Sequence, residues 1–283
     1  MNPILKLCEY FSFSFVRYAF IVAILVSLCA ALLGVSLVLK RYSMIGDGLS
    51  HIAFGAGAVS AVLNVAGMAI SLPVTVATAV LLLTAKSKKK IMGDSAIAML
   101  SAGSLALGYL LLNVTGTTSS NLSGDVCTSL FGSTSILTLS KGDVTLSLAL
   151  AVVVIFVFAV FYNKLFSVTF DERFASATGT RVNLYNLIVA IMSAVVIVIG
   201  MKLVGALLIS ALVIFPALSA MRICKSYRGV IIASAVIAVV SSSAGLILAL
   251  LLETPVGAGI VCVNIVAFGV CALVGRVRVK IVK

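Results

Sequence analysis

The sequence predicts an all-α fold, a polytopic bundle of about nine transmembrane helices, and three observations carry that prediction. Hydrophobic residues fill 62% of the 283 positions and only 10% are charged, against roughly half apolar and a quarter charged in a soluble domain. The apolar residues form long runs, and a hydrocarbon core of about 30 Å takes roughly 20 helical residues per crossing. The Lys and Arg residues gather in alternate breaks between those runs, as cytoplasmic loops do.

Taken in order, the apolar runs give spans at 17–40, 48–64, 70–85, 92–113, 143–166, 182–201, 203–222, 229–252 and 255–275. The second and third are short, so one of them could be tilted, broken or stopped part-way through the bilayer. Residues 1–16, with Lys6, Glu9 and the Phe11, Phe13, Phe15 alternation, could lie in the interface instead of crossing. With the C-terminus inside, 16 of the 20 basic residues fall in cytoplasmic loops, leaving Lys6, Arg17, Lys141 and Lys202 outside. The arrangement is therefore N-out and C-in, and the net charge of +12 reflects topology, with no nucleic-acid partner. The Lys86–Lys90 cluster reads as a topology anchor.

The whole chain, 1–283, reads as a single transmembrane domain. No cleavable signal peptide is expected, because the first apolar run continues past Cys29 to Leu39 without a small-residue cleavage site. The six cysteines are scattered without any CxxC pair, so neither a disulfide nor a zinc-thiolate site is expected.

Two stretches break the apolar pattern: an outer Ser/Thr/Gly-rich segment at 114–142 and an inner polar loop at 164–181. In the inner loop, Thr169 and Glu172 have capping-box spacing, which predicts a short cytoplasmic helix at 169–179. Asp171 and Glu172 suit its first turn, and Gly179 is placed to end it. Phe170 and Phe174, four apart, share a face with Ala177. Such a helix could lie on the membrane surface or fill a groove in a soluble partner. The chain has no GxxxxGK[ST] segment, so an ATP-driven motor would be another polypeptide.

The single histidine, His51, follows Asp47 by four residues, which places both on one face of a helix. Two readings stand: Asp47 caps the second span and His51 is a hydrogen-bonded core residue, or the pair binds a divalent ion. Mixed oxygen and nitrogen donors suit zinc, manganese or iron(II) better than calcium, and the imidazole favours zinc. Two donors are too few for a closed site, so a second copy or water would supply the rest. Further on, Pro216 interrupts an apolar span that Gly205 and Ser210 help keep slim.

The segment Lys40-Arg-Tyr-Ser-Met-Ile-Gly-Asp-Gly-Leu-Ser-His51 resembles the opening signature of the permease subunits of bacterial zinc, manganese and iron ABC importers. The run from Met201 to Ala217, with its VGALL stretch leading to a proline, is similar to a second hallmark of that family. The Asp171–Gly179 loop resembles its coupling segment, although Glu172 stands where many relatives carry proline.

The resemblance implies an ABC importer permease of the metal/cobalamin-permease type in a bacterial inner membrane. Its expected partners are an ATP-binding subunit, an extracytoplasmic metal-binding protein and a second permease copy. Asp47 and His51 would line the metal route. Phe170, Asp171, Glu172, Phe174, Ala175 and Gly179 would meet the ATPase, and Gly205, Ser210 and Pro216 would belong to a pathway or gating helix. Zn2+ would be cargo, with Mn2+ or Fe2+ next, and no cofactor would be bound permanently. The competing expectations are an ion-coupled secondary carrier using Asp47 and an ABC permease for a chelated metal. An intramembrane metalloprotease is disfavoured, since HExxH is absent.

Overall fold

A computed structural model describes residues 10–84, 94–115 and 139–281, and among them every regular element is a helix. Nine are long: α1 (Ser14–Leu39), α2 (Ile45–Val62), α3 (Gly67–Thr84), α4 (Asp94–Val114), α5 (Lys141–Phe170), α7 (Val182–Val204), α8 (Ala206–Ile223), α9 (Tyr227–Leu252) and α10 (Val256–Ile281). A short helix, α6 (Glu172–Ala177), follows α5. The Lys86–Lys90 cluster and most of the 114–142 segment lie outside the described residues.

The nine long helices match the nine predicted spans, but eight of them are long and apolar enough to cross a membrane on their own. The ninth, α2, has 18 residues, among them Asp47, His51, the serines Ser50 and Ser60, and four glycines. At 1.5 Å per residue it is about 27 Å long, just short of the hydrocarbon thickness. Its polarity marks it as the helix whose sequence serves something other than lipid contact.

Helix α1 forms the centre and packs on α5, α7, α8 and α9. On one flank α8 and α9 hold α10, and on the other α2 joins α3 and α4. Close approach depends on residues without bulk. Gly34 in α1 lies against the Val213 carbonyl of α8, and Gly245 in α9 against the Ile260 backbone of α10, so neither site has room for a Cβ. Buried hydroxyls add interhelical bonds: Ser27 to Ser242 at 3.0 Å, Ser241 to the Asn264 side-chain oxygen at 3.0 Å, and Ser36 to Tyr227 at 3.3 Å.

The basic loop ends meet at one end of the bundle, as alternating topology requires. Lys40, just past α1, bonds to Glu172 of α6. Arg228 at the start of α9 sits 5.2 Å from the Tyr162 ring centroid of α5. Gly275 of α10 lies so near α8 that a Cβ there would come within 2.6 Å of the Arg222 carbonyl.

One predicted boundary moves. The break between the sixth and seventh long spans was expected around Lys202, but α7 continues through Lys202 to Val204, and Gly205 alone separates it from α8. Gly205 has φ 98° and ψ 154°, a combination open essentially only to glycine. The chain turns where the backbone can, and a charged residue in the last turn of α7 suits the helix dipole.

Candidate metal route

Asp47 and His51 occupy the first two turns of α2. The capping alternative for Asp47 is not what forms: Met44 is the N-cap, without a side-chain cap bond, and Asp47 lies inside the first turn. Its carboxylate instead points along the helix face to His51, with Oδ1 3.7 Å from Nε2. That is too long for a hydrogen bond and within reach of an ion pair. Asp47 is 41% exposed and His51 19% exposed at their side chains.

The second ring nitrogen is also engaged. His51 Nδ1 lies 2.8 Å from Ser101 Oγ on α4, and Ser101 is only 7% exposed. Ser101 was not singled out in the sequence; the available signal was a pair of serines, Ser101 and Ser104, inside an otherwise apolar run. The two helices meet through a glycine seam. A Cβ on Gly55 of α2 would come within 2.6 Å of the Ser104 carbonyl, and one on Gly108 of α4 within 2.9 Å of Gly55 Cα.

Between these helices lies an open cleft of about 260 Å³, lined by Asp47, His51 and Ser101 with Met44, Ile97 and Leu105. Two donors held about 2.1 Å from one ion stand about 3.0 to 3.4 Å apart at coordination angles of about 90 to 109°. The 3.7 Å between Nε2 and Oδ1 is a few tenths of an ångström wider, which a rotamer adjustment closes. Among the described residues no group of three or more His, Cys, Asp or Glu is gathered, so the pair offers two ligands and leaves the remaining coordination positions open. An open coordination sphere favours passage over retention.

The short helix expected on the cytoplasmic side differs from its predicted form. Thr169 and Phe170 belong to the end of α5, and the cap of α6 is Asp171, whose Oδ1 accepts from the Arg173 and Phe174 N–H groups at 2.9 and 3.0 Å. α5 persists to Phe170 because an aromatic cluster holds its last turns: Phe166 lies 5.1 Å and Phe170 5.9 Å from Tyr227, centroid to centroid. Phe170 and Phe174 therefore flank the junction rather than share one helix, although both rings are exposed. Gly179, at φ 79°, ends α6 as predicted. The Gly179 N–H donates to Ser176 O and the Thr180 N–H to Ala175 O, the two bonds of a Schellman motif. Ala175 is fully buried against the bundle, so it anchors α6 and presents no surface.

Glu172 does not complete a capping box. Its Oε1 accepts from Lys40 at 2.9 Å and from the Asn186 amide at 3.0 Å, tying α6 to the ends of α1 and α7. Lys40 also donates to Asn186 Oδ1.

Of the three residues expected on a pathway helix, Ser210 spends its hydroxyl on the Ala206 carbonyl at 3.0 Å. Ser210 backs α2 from the side opposite the cleft, where a Cβ on Gly46 would lie 3.5 Å from Ser210 Cα. Pro216 is buried inside α8 and Gly205 forms the outer break, so neither lines the Asp47–His51 cleft.

With this geometry in view, the relatives are informative. The manganese import system permease protein ScaB of Streptococcus gordonii is 28% identical over 256 residues, covering 90% of each chain. The manganese transport system membrane protein MntC of Halalkalibacterium halodurans is 29% identical over 253 residues, covering 89% of this chain and 84% of that protein. Among solved structures, PsaBC from Streptococcus pneumoniae in complex with Fab superposes with a TM-score of 0.81 at 28% identity, covering 95% of this chain and 94% of that one. Eight candidate spans and permease relatives of this kind make the chain a multi-pass protein of the bacterial plasma membrane. Residues 12–275 match the ABC 3 transport family, and the chain belongs to that family.

Proposed function

We propose that this chain is the membrane-spanning half of an ATP-driven importer of a divalent transition metal, with manganese as its first substrate. The observation that carries the reading is the Asp47–His51 pair, one turn apart on the one long helix, among the described residues, that is not apolar enough to cross a membrane on its own, and open to a cleft. A carboxylate with one imidazole and open positions suits Mn2+ as well as Zn2+. The two relatives described above carry manganese in their names, which moves the preference from zinc, suggested by the imidazole alone, to manganese.

ATP hydrolysis belongs to a separate subunit docked at α6, where Phe174 and Phe170 offer exposed rings beside the Glu172 anchor. A second copy of this chain supplies the ligands that two residues cannot. An extracytoplasmic binding protein delivers the ion at the opposite end, on the side of Gly205. Reconstitution in liposomes with the co-purifying ATP-binding subunit tests the whole reading. Mn2+ uptake should require ATP and fall to background in Asp47→Ala and His51→Ala, and uptake intact in both variants would refute it.

A further inference from the structure

The hydroxyl of Ser101 has a role that rests on the proposed metal route and goes beyond it. We infer that Ser101 is a positioning residue that holds the His51 ring and switches between donating and accepting, so that Nε2 can change from a proton carrier to a metal donor.

The argument begins with what each nitrogen faces. Nε2 looks toward the Asp47 carboxylate at 3.7 Å, and Nδ1 meets Ser101 Oγ at 2.8 Å. Beside a carboxylate, the ring of a neutral imidazole carries its proton on Nε2, which leaves Nδ1 as an acceptor for the serine O–H. A cation arriving between Nε2 and Asp47 needs the Nε2 lone pair. The proton on Nε2 then leaves to water and one from water is taken up at Nδ1, with no net release. Nδ1 becomes a donor, and its partner has to accept.

A hydroxyl meets both demands by rotating about its C–O bond, since it holds one donor and two acceptor lone pairs. A lysine could only donate and a carboxylate would accept alone, locking the ring in one state. Ser101 is buried, so water does not easily take its place. The ring is also held to α4 through Ser101 while its other nitrogen serves α2, so ligation reports on the fit of the two helices along the Gly55–Gly108 seam. Partners of this kind typically set metal affinity by about 10- to 100-fold.

The sequence makes the test clean, because the chain has one histidine. Selective 15N-histidine labelling of the full chain in nanodiscs reports a single imidazole, and Zn2+ serves as a diamagnetic probe. The metal-free spectrum is expected to show protonated Nε2 with Nδ1 accepting. The Zn2+-loaded spectrum is expected to show protonated Nδ1 with Nε2 coordinated. Zn2+ affinity should drop about 10- to 100-fold in Ser101→Ala, recover in Ser101→Thr, and stay unchanged in Ser104→Ala, which controls for packing on the same helix. Coordination through Nδ1, or Ser101→Ala binding at wild-type strength, overturns the role of Ser101 while leaving the metal route standing. Imidazole signals unmoved by Zn2+, with Asp47→Ala binding unchanged, overturn both.

Discussion

Lys40 Nζ lies 2.9 Å from Glu172 Oε1, and Asn186 bonds to both, so the ends of α1, α6 and α7 are joined by one polar triangle. The two charges are differently placed: the Lys40 side chain is 8% exposed and that of Glu172 52% exposed. At Lys40, burial outweighs the neighbouring carboxylate and lowers the ammonium below its ordinary pKa. At Glu172, burial would raise the carboxyl, but the Asn186 amide and Lys40 together outweigh it and hold the group below its ordinary value. Burial acts on both groups, and their shared contact favours the charged form of each.

The sign of each shift fixes a pH dependence. Because the Glu172 pKa is lowered on folding, its contribution is present above the unfolded value of about 4.3 and is lost as pH falls through the folded value. Lys40, lowered on folding, carries a burial cost at low pH that is relieved as pH rises through its lowered value. The α6 amides should therefore keep their hydrogen-exchange protection at neutral pH and lose it in acid. Glu172→Gln should show weaker protection at pH 7 and no acid step, and identical profiles in the two proteins would show that the triangle does not anchor α6.

Gly205→Ala should lower stability by about 1 to 3 kcal/mol, the usual cost of a non-glycine residue in this backbone region. Thermal unfolding in detergent measures it. Gly67→Ala is the matched control, because the nearest atom to a Cβ there is the Ser60 hydroxyl at 3.8 Å and its φ is not in the positive range.

Gly55→Val should weaken metal use without touching a ligand. A side chain at Gly55 has to push back the Ser104 carbonyl, from which its Cβ would stand 2.6 Å. That displacement moves α4, and Ser101 with it, away from His51. The half-saturating Mn2+ concentration for stimulated ATPase activity should rise, while the metal-independent rate of the reconstituted complex stays near wild type.

Phe174→Ala should reduce co-purification of the ATP-binding subunit and leave the melting temperature unchanged, because the ring is 63% exposed. Ala175→Asp should do the opposite in kind: an unpaired carboxylate at a fully buried position destabilises the bundle itself. Equal losses of melting temperature in both variants would assign Phe174 to packing.

Much of the fold was legible because membrane helices announce themselves by length and composition. Seven of the nine long helices both begin and end within three residues of their predicted bounds, since lipid forces backbone pairing inside each segment. The failures are equally physical. The α6 start was misplaced because Thr169–Glu172 has the spacing of a cap, but spacing does not show that Phe170 is held in α5 by Tyr227, leaving Asp171 as the first free capping side chain. Asp47 and His51 were recognisable as rare polar groups on one helical face. Ser101 was not, because its importance lies in a contact across 50 positions of sequence, and periodicity within a helix carries no information about which neighbour it meets.

The one-residue junction at Gly205 also constrains how the bundle can rearrange. With α7 and α8 fastened together at a single backbone joint, they open only as the arms of a caliper do, least at the joint and most at the far tips. An arm of 18 residues is about 27 Å long, so a swing of about 10° carries its cytoplasmic tip about 5 Å. Small angular changes beside the outer mouth are thus geared up into large excursions near Arg222, where the basic termini of the neighbouring helices assemble.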